Sequence, residues 1–190
     1  MKFCKKVQIS LFFFCLFCII GCLPSLAQAS NLRVYLGSVS SSCSITVAEG
    51  SYEIQGGTLA NTTLATAQKG DTIQITKVGT ILRVSINNST IGDAYNGVFL
   101  LPKDDTDLNL LRYQNTRYRG SFSILSNGYI LNMIDMEDYL PAVIGREIGY
   151  SVPMEALKAQ AVASRSYAYS NIGSNTYYDV SATTSSQVYG

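Results

Sequence analysis

Residues 136–169 read MEDYLPAVIGREIGYSVPMEALKAQAVASRSYAY, the only long span of the chain with helical spacing. Asp135 is placed to cap a first helix, and Glu137 and Asp138 fall in its first turn, where the positive end of the helix dipole favours carboxylates. Leu140, Ile144 and Glu147 then recur at i, i+4 and i+7, so they share one face. A glutamate in line with two aliphatic side chains is expected to be led towards the interior. Gly149 stops this helix, and Pro153 opens a second one with Glu155 in its first turn. The second helix, through about Tyr169, is rich in alanine, the strongest helix former. Lys158 and Arg165 lie seven residues apart, on one face of it. The expectation is two consecutive helices that bring one carboxylate and two cations to a common junction.

Working outward, the residues before the first helix spell a hairpin. Phe122 and Ile124 alternate up to Ser126-Asn127-Gly128, and Tyr129, Leu131 and Met133 return. Asn-Gly is the strongest short hairpin signal, with positive φ expected at both positions. Further upstream, Leu32 to about Leu111 reads as all-β. Leu32/Val34/Leu36, Ile45/Val47, Tyr52/Ile54, Ile73/Ile75 and Leu82/Val84/Ile86 each alternate with polar neighbours, between turns marked by glycine. Such short strands suggest a small sheet or barrel-like module that supports the helices. The acidic loop 103–107, with Asp104, Asp105 and Asp107, reads as a solvated joint, since it lacks the rest of a calcium-loop pattern. The predicted class is therefore α+β, with a β-rich region at 30–111, then the hairpin and the two helices within 112–190.

Residues 1–29 read as a targeting segment. Lys2, Lys5 and Lys6 precede an apolar run from Ile9 to Leu23, and Ala27-Gln28-Ala29 offers small residues for cleavage before Ser30. Two alternatives stay open: an uncleaved membrane anchor, or a lipoprotein acylated at Cys22. Each implies export, to the medium, the cell wall or the outer face of the membrane, with membrane contact only through that N-terminus. Four of the five cysteines lie in this segment, which leaves Cys43 without an internal disulfide partner. Without the three lysines, 11 basic residues face 13 acidic ones, which argues against nucleic acid as a partner. The chain has no histidine, so Ser–His and Cys–His nucleophile pairs and a zinc site built from His and Cys are excluded. No metal or cofactor is expected.

The helical stretch resembles a known family. Glu137-Asp138-Tyr139-Leu140, the span Val143 to Glu147, the run Pro153 to Ala168, and Ser186-Gln187-Val188-Tyr189-Gly190 are together similar to the SpoIID/LytB domain, the stage II sporulation protein D and amidase-enhancer family of bacterial cell-wall proteins. The resemblance is strong from about Tyr118 onward. The family's domain runs on past the Ser-Gln-x-Tyr-Gly motif, so 112–190 is expected to hold its N-terminal part only.

That resemblance implies a peptidoglycan lytic transglycosylase with Glu147 as its catalytic acid. The enzyme would cleave the bond between N-acetylmuramic acid and N-acetylglucosamine in glycan strands and leave 1,6-anhydro-muramic acid ends. One carboxyl group suffices for such a reaction, giving its proton to the leaving oxygen and then taking one from the attacking C6 hydroxyl. An apolar setting for Glu147 would raise its pKa towards the working pH. Lys158 and Arg165 would hold the glycan or steady charge near the acid, and Gln160, Gln187 and Tyr189 would hydrogen-bond to the sugars. The plainer readings stand beside these: Lys158 pairing with Glu155, Arg165 binding helix-end carbonyls, and Gln187 and Tyr189 as ordinary strand residues. A non-catalytic wall-binding protein, or an enhancer with a cell-wall amidase as partner, is the alternative.

Overall fold

The computed structural model describes residues 31–57, 62–104 and 109–190. The targeting segment with Cys22, and Asp105 and Asp107 of the acidic loop, lie outside the described residues. The chain is α+β. Among the described residues, thirteen strands and two helices follow one another as β1 (Asn31–Ser38), β2 (Ser42–Glu49), β3 (Ser51–Gly56), β4 (Thr62–Gln68), β5 (Thr72–Val78), β6 (Ile81–Ile86), β7 (Ser89–Ala94), β8 (Val98–Pro102), β9 (Leu110–Tyr113), β10 (Thr116–Tyr118), β11 (Ser121–Ile124), β12 (Tyr129–Asp135), α1 (Met136–Glu147), α2 (Met154–Asn171) and β13 (Val180–Ser181).

The strands form two sheets. One has the order β13-β1-β12-β11-β8-β3-β4, the other β10-β9-β2-β5-β6-β7. Their buried faces merge into one apolar core. Val34, Ile54, Leu100, Phe122 and Ile134 enter it from the first sheet, and Ile45, Val47, Ile73, Ile75, Leu82 and Val84 from the second. In β2, β3, β5 and β6 the apolar residues alternate as read from the sequence, because successive side chains of a strand point to opposite faces.

The pairing is less local than the chain order suggests. β1 lies between β12, antiparallel to it, and β13, parallel to it. A strand from the first region is thus hydrogen-bonded on both sides to strands of the second. The boundary at 111/112 falls inside β9.

The β11–β12 hairpin forms with a different turn from the expected one. Its loop is Ser126-Asn127-Gly128; of these only Gly128 has positive φ, at 96°. The N–H of Gly128 bonds to the Leu125 carbonyl at 2.8 Å and the N–H of Tyr129 to the Asn127 side chain at 2.9 Å, a three-residue turn closed by a left-handed glycine. The phase of β12 shifts too. Phe122 lies opposite Asn132 and Ile124 opposite Ile130, and directly opposed residues share a face. The core therefore receives Ile130, Asn132 and Ile134 from β12; on the other face Leu131 is buried, while Tyr129 and Met133 are only half-buried.

Both helices form where expected. Asp135 caps α1, its carboxylate accepting from the Glu137 N–H at 2.8 Å, and Gly149 follows the helix with φ 71°. α1 sinks Met136, Tyr139, Leu140 and Val143 into the core. α2 is far less covered, with only Ser164 and Ala168 buried.

Candidate active site around Glu147

Glu147 and the backbone of the 186–190 segment meet where α1 ends. Glu147 is its last residue, and it is exposed. The interior position inferred from its spacing is corrected by the structure. Ile144, one turn earlier, is half-buried, and the helix leaves the core before Glu147 is reached. Water therefore reaches the carboxylate that was expected in an apolar setting.

One oxygen of that carboxylate is taken. Glu147 Oε1 accepts a hydrogen bond from the backbone N–H of Val188 at 2.8 Å. Arg146 Nε, beside it, donates to the Gly190 carbonyl. Two consecutive residues at the end of α1 thus hold the Ser-Gln-Val-Tyr-Gly segment by its backbone.

The side chains of that segment are anchored below. Gln187 is buried and accepts from the Tyr139 hydroxyl at 3.0 Å. Tyr189 is buried and donates from its hydroxyl to Asn132 Oδ1 at 2.5 Å. Its ring stacks on Tyr139, with centroids 4.9 Å apart, and lies tilted against Tyr118 at 5.7 Å. Asn132 gives its amide hydrogens to the carbonyls of Arg119 and Ser121, at 2.8 and 3.1 Å. Burial pushes the hydroxyl pKa values of Tyr139 and Tyr189 well up, so both stay protonated donors. In this structure Gln187 and Tyr189 have their polar ends taken up inside the protein, and they flank Val188 on both sides as buried anchors.

Gly145 shows how closely the junction packs. A methyl group there would meet the Tyr150 ring at 2.6–2.7 Å, and the Tyr150 hydroxyl bonds to the Pro141 carbonyl at 2.5 Å. The Tyr150 side chain therefore lies back over α1, and a larger residue at 145 would make that exposed ring swing aside.

Lys158, Gln160 and Arg165 sit on α2 with partners of their own. Lys158 pairs with Glu155 at 2.9 Å, both well exposed. Gln160 donates to Ser164 Oγ at 3.2 Å. Arg165 takes the carboxylate of Glu137 in a fork, at 2.9 and 2.7 Å from Nη2 and 3.1 Å from Nε, and this ties α2 to the first turn of α1. Its guanidinium pKa is raised by those hydrogen bonds. Among the described residues no hydrogen bond or ion pair joins Lys158, Gln160 or Arg165 to Glu147, so the common junction is built by Arg165 and Glu137 instead. No group of three or more Asp, Glu, Cys or His among the described residues is placed to hold a metal.

Sequence reasoning passed over Val188 and Asn132. Val188 acts through its N–H, which every residue but proline carries. Asn132 could have been found from the hairpin register, which sets it opposite Phe122.

Glu147 is thus an exposed carboxylate held through the backbone of the 186–190 segment. Residues 126–190 match the family described as SpoIID, stage II sporulation protein, in keeping with a member of the SpoIID/LytB family. That description ties the matched family to sporulation. An uncharacterised protein of Brachyspira hyodysenteriae is 35% identical over 112 residues, 56% of this chain. The chain spans 29% of that relative's length. No solved structure matches.

Proposed function

We propose that this protein cleaves peptidoglycan glycan strands as a lytic transglycosylase, with Glu147 as the one acid–base group. The observation that carries this reading is the Val188 N–H bound to Glu147 Oε1. It fixes one carboxylate oxygen and the plane of the group, and leaves Oε2 to face a substrate arriving from solvent. Oε2 gives its proton to the glycosidic oxygen as the bond to the muramic acid anomeric carbon breaks. It then takes the proton of that sugar's C6 hydroxyl as the hydroxyl oxygen closes on the same carbon. The carboxyl group ends as it began, and the anhydro ring replaces the broken bond. Closure of the strand over Glu147 supplies the desolvation that a general acid needs, because the residue is open to water without it. Export through the segment 1–29 is part of this proposal, since the polymer lies outside the membrane.

Glu147→Gln tests it. Glutamine keeps the volume and a hydrogen-bond acceptor for Val188 but carries no transferable proton. Release of anhydro-muropeptides from purified wall should fall by about 10²–10⁴-fold, with wall binding retained. Undiminished release would overturn the reading. The exposure of Glu147 favours a second one, in which the protein binds wall without cleaving it and stimulates an amidase. Wild-type protein that releases nothing from wall but accelerates such an amidase would establish that alternative.

A further inference from the structure

A cleft of ≈ 270 Å³ lies between the C-terminal half of α2 and the chain that follows it. Tyr167 and Asn171 line it from the helix, Ser174 and Asn175 from the loop, and Tyr178 and Ser186 from either side of β13. One lining side chain is charged, Asp179, and that charge is spent. Its carboxylate accepts from Arg33 Nη2 at 2.7 Å, the Arg33 N–H at 2.9 Å and the Gly173 N–H at 2.9 Å. What remains is a neutral surface of hydroxyls, carboxamides and two aromatic rings. Neither an anion nor a metal ion suits such a lining. A sugar does, since its hydroxyl and N-acetyl groups seek neutral donors and acceptors while its ring hydrogens pack on an aromatic face.

The cleft is also built in advance. Arg33 Nη1 and Nη2 donate to the carbonyls of Thr176 and Asn175, at 3.0 and 3.1 Å, so the loop is pinned to β1. Tyr178 stacks on Tyr35, with centroids 5.1 Å apart and 26° between planes, which sets the direction of its ring. A preformed surface spares a ligand the cost of ordering it. The volume lies below the roughly 300–1,000 Å³ of sites for drug-sized ligands, so there is room for about one pyranose ring of a polymer. Ser186, at one end, stands two residues before Val188, whose N–H holds Glu147.

We propose that this cleft is a sugar subsite that seats one N-acetylhexosamine unit of the glycan strand, with Tyr178 against the ring and Asn171, Ser174 and Asn175 meeting its polar groups. The inference rests on the proposed action on glycan. The test uses the full chain and a soluble tetramer of β-1,4-linked N-acetylglucosamine, which lacks muramic acid and so reports binding without turnover. With 13 tyrosines and no tryptophan, tyrosine fluorescence follows the titration. Saturable binding is expected, weakened about tenfold or more by Tyr178→Ala, the order of one lost aromatic contact with its buried area. Ser174→Leu, at an exposed position where folding is not at stake, should weaken it comparably by filling the mouth. No saturable binding, or wild-type binding by both Tyr178→Ala and Ser174→Leu, overturns the subsite. Full turnover by Glu147→Gln alongside lost binding by the cleft variants would sink the acid and keep the subsite, and the reverse pattern would do the opposite.

Discussion

Glu147 and Val188 are forty-one residues apart in the chain, and the bond between them is only as firm as what holds Val188. That support comes from its two neighbours, Gln187 under Tyr139 and Tyr189 over Asn132. Tyr189→Phe keeps the ring stack on Tyr139 but strands Asn132 Oδ1 in a buried site. Leaving a buried acceptor without its donor costs about 1–3 kcal/mol, and the urea midpoint should fall accordingly with an unchanged slope. If the Tyr189 bond matters only for stability, turnover at low denaturant will be wild type. If it also positions the acid, kcat will fall more than KM rises.

At the scale of elements, the β11–β12 hairpin delivers both Asn132 and the cap of α1, so its turn controls the site's foundations. Gly128 has φ 96°, and a methyl group there would come within 2.9 Å of the Val39 carbonyl oxygen. The backbone at that point is also in use, since the Val39 N–H bonds to the Gly128 carbonyl at 2.8 Å. Gly128→Ala is expected to cost about 1–3 kcal/mol through strained φ and that contact. Thermal melting checks it, and Asn127→Ala should cost less because φ there is ordinary. Turn chemistry was legible in Asn127-Gly128, but the turn's length was not. Two- and three-residue loops both accept Asn-Gly, and the choice between them follows from which strand residues end up opposed.

For the whole molecule, the tie between Arg33 and Asp179 joins β1 to the loop behind α2. Asp179 is nearly buried, which alone would raise its pKa. The hydrogen bonds from Arg33 and Gly173 outweigh burial and hold it below the ordinary 3.8. The unfolded chain then takes up the Asp179 proton at a higher pH than the folded one does. The stability from this group is thus complete above the ordinary value and is lost as pH falls through the depressed one. At neutral pH Asp179→Asn should cost about 3 kcal/mol, the low end for losing one partner of a buried pair, since the Arg33 side chain stays 27% exposed. The difference in Tm between wild type and variant should persist down to about pH 4 and narrow below it. A constant difference to the lowest pH would show that the carboxylate charge contributes nothing.

By itself the sequence determined what local physics can decide. Asp135, Gly149, Pro153 and the alanine run set both helices, because capping, left-handed glycine and helix propensity act within a few residues. Alternation set the inward faces of β2, β3, β5 and β6, because side chains of a strand repeat every two residues. The SpoIID resemblance rested on side-chain identities, and residues 126–190 carry the match. Only the tertiary structure decided that β1 enters between β12 and β13, that Glu147 stands in water, and that Val188 holds it. Each of these depends on contacts between residues far apart in the chain. Whether a helix face is covered is settled by what packs on it, and a backbone N–H leaves no mark on the sequence of the residue that bears it.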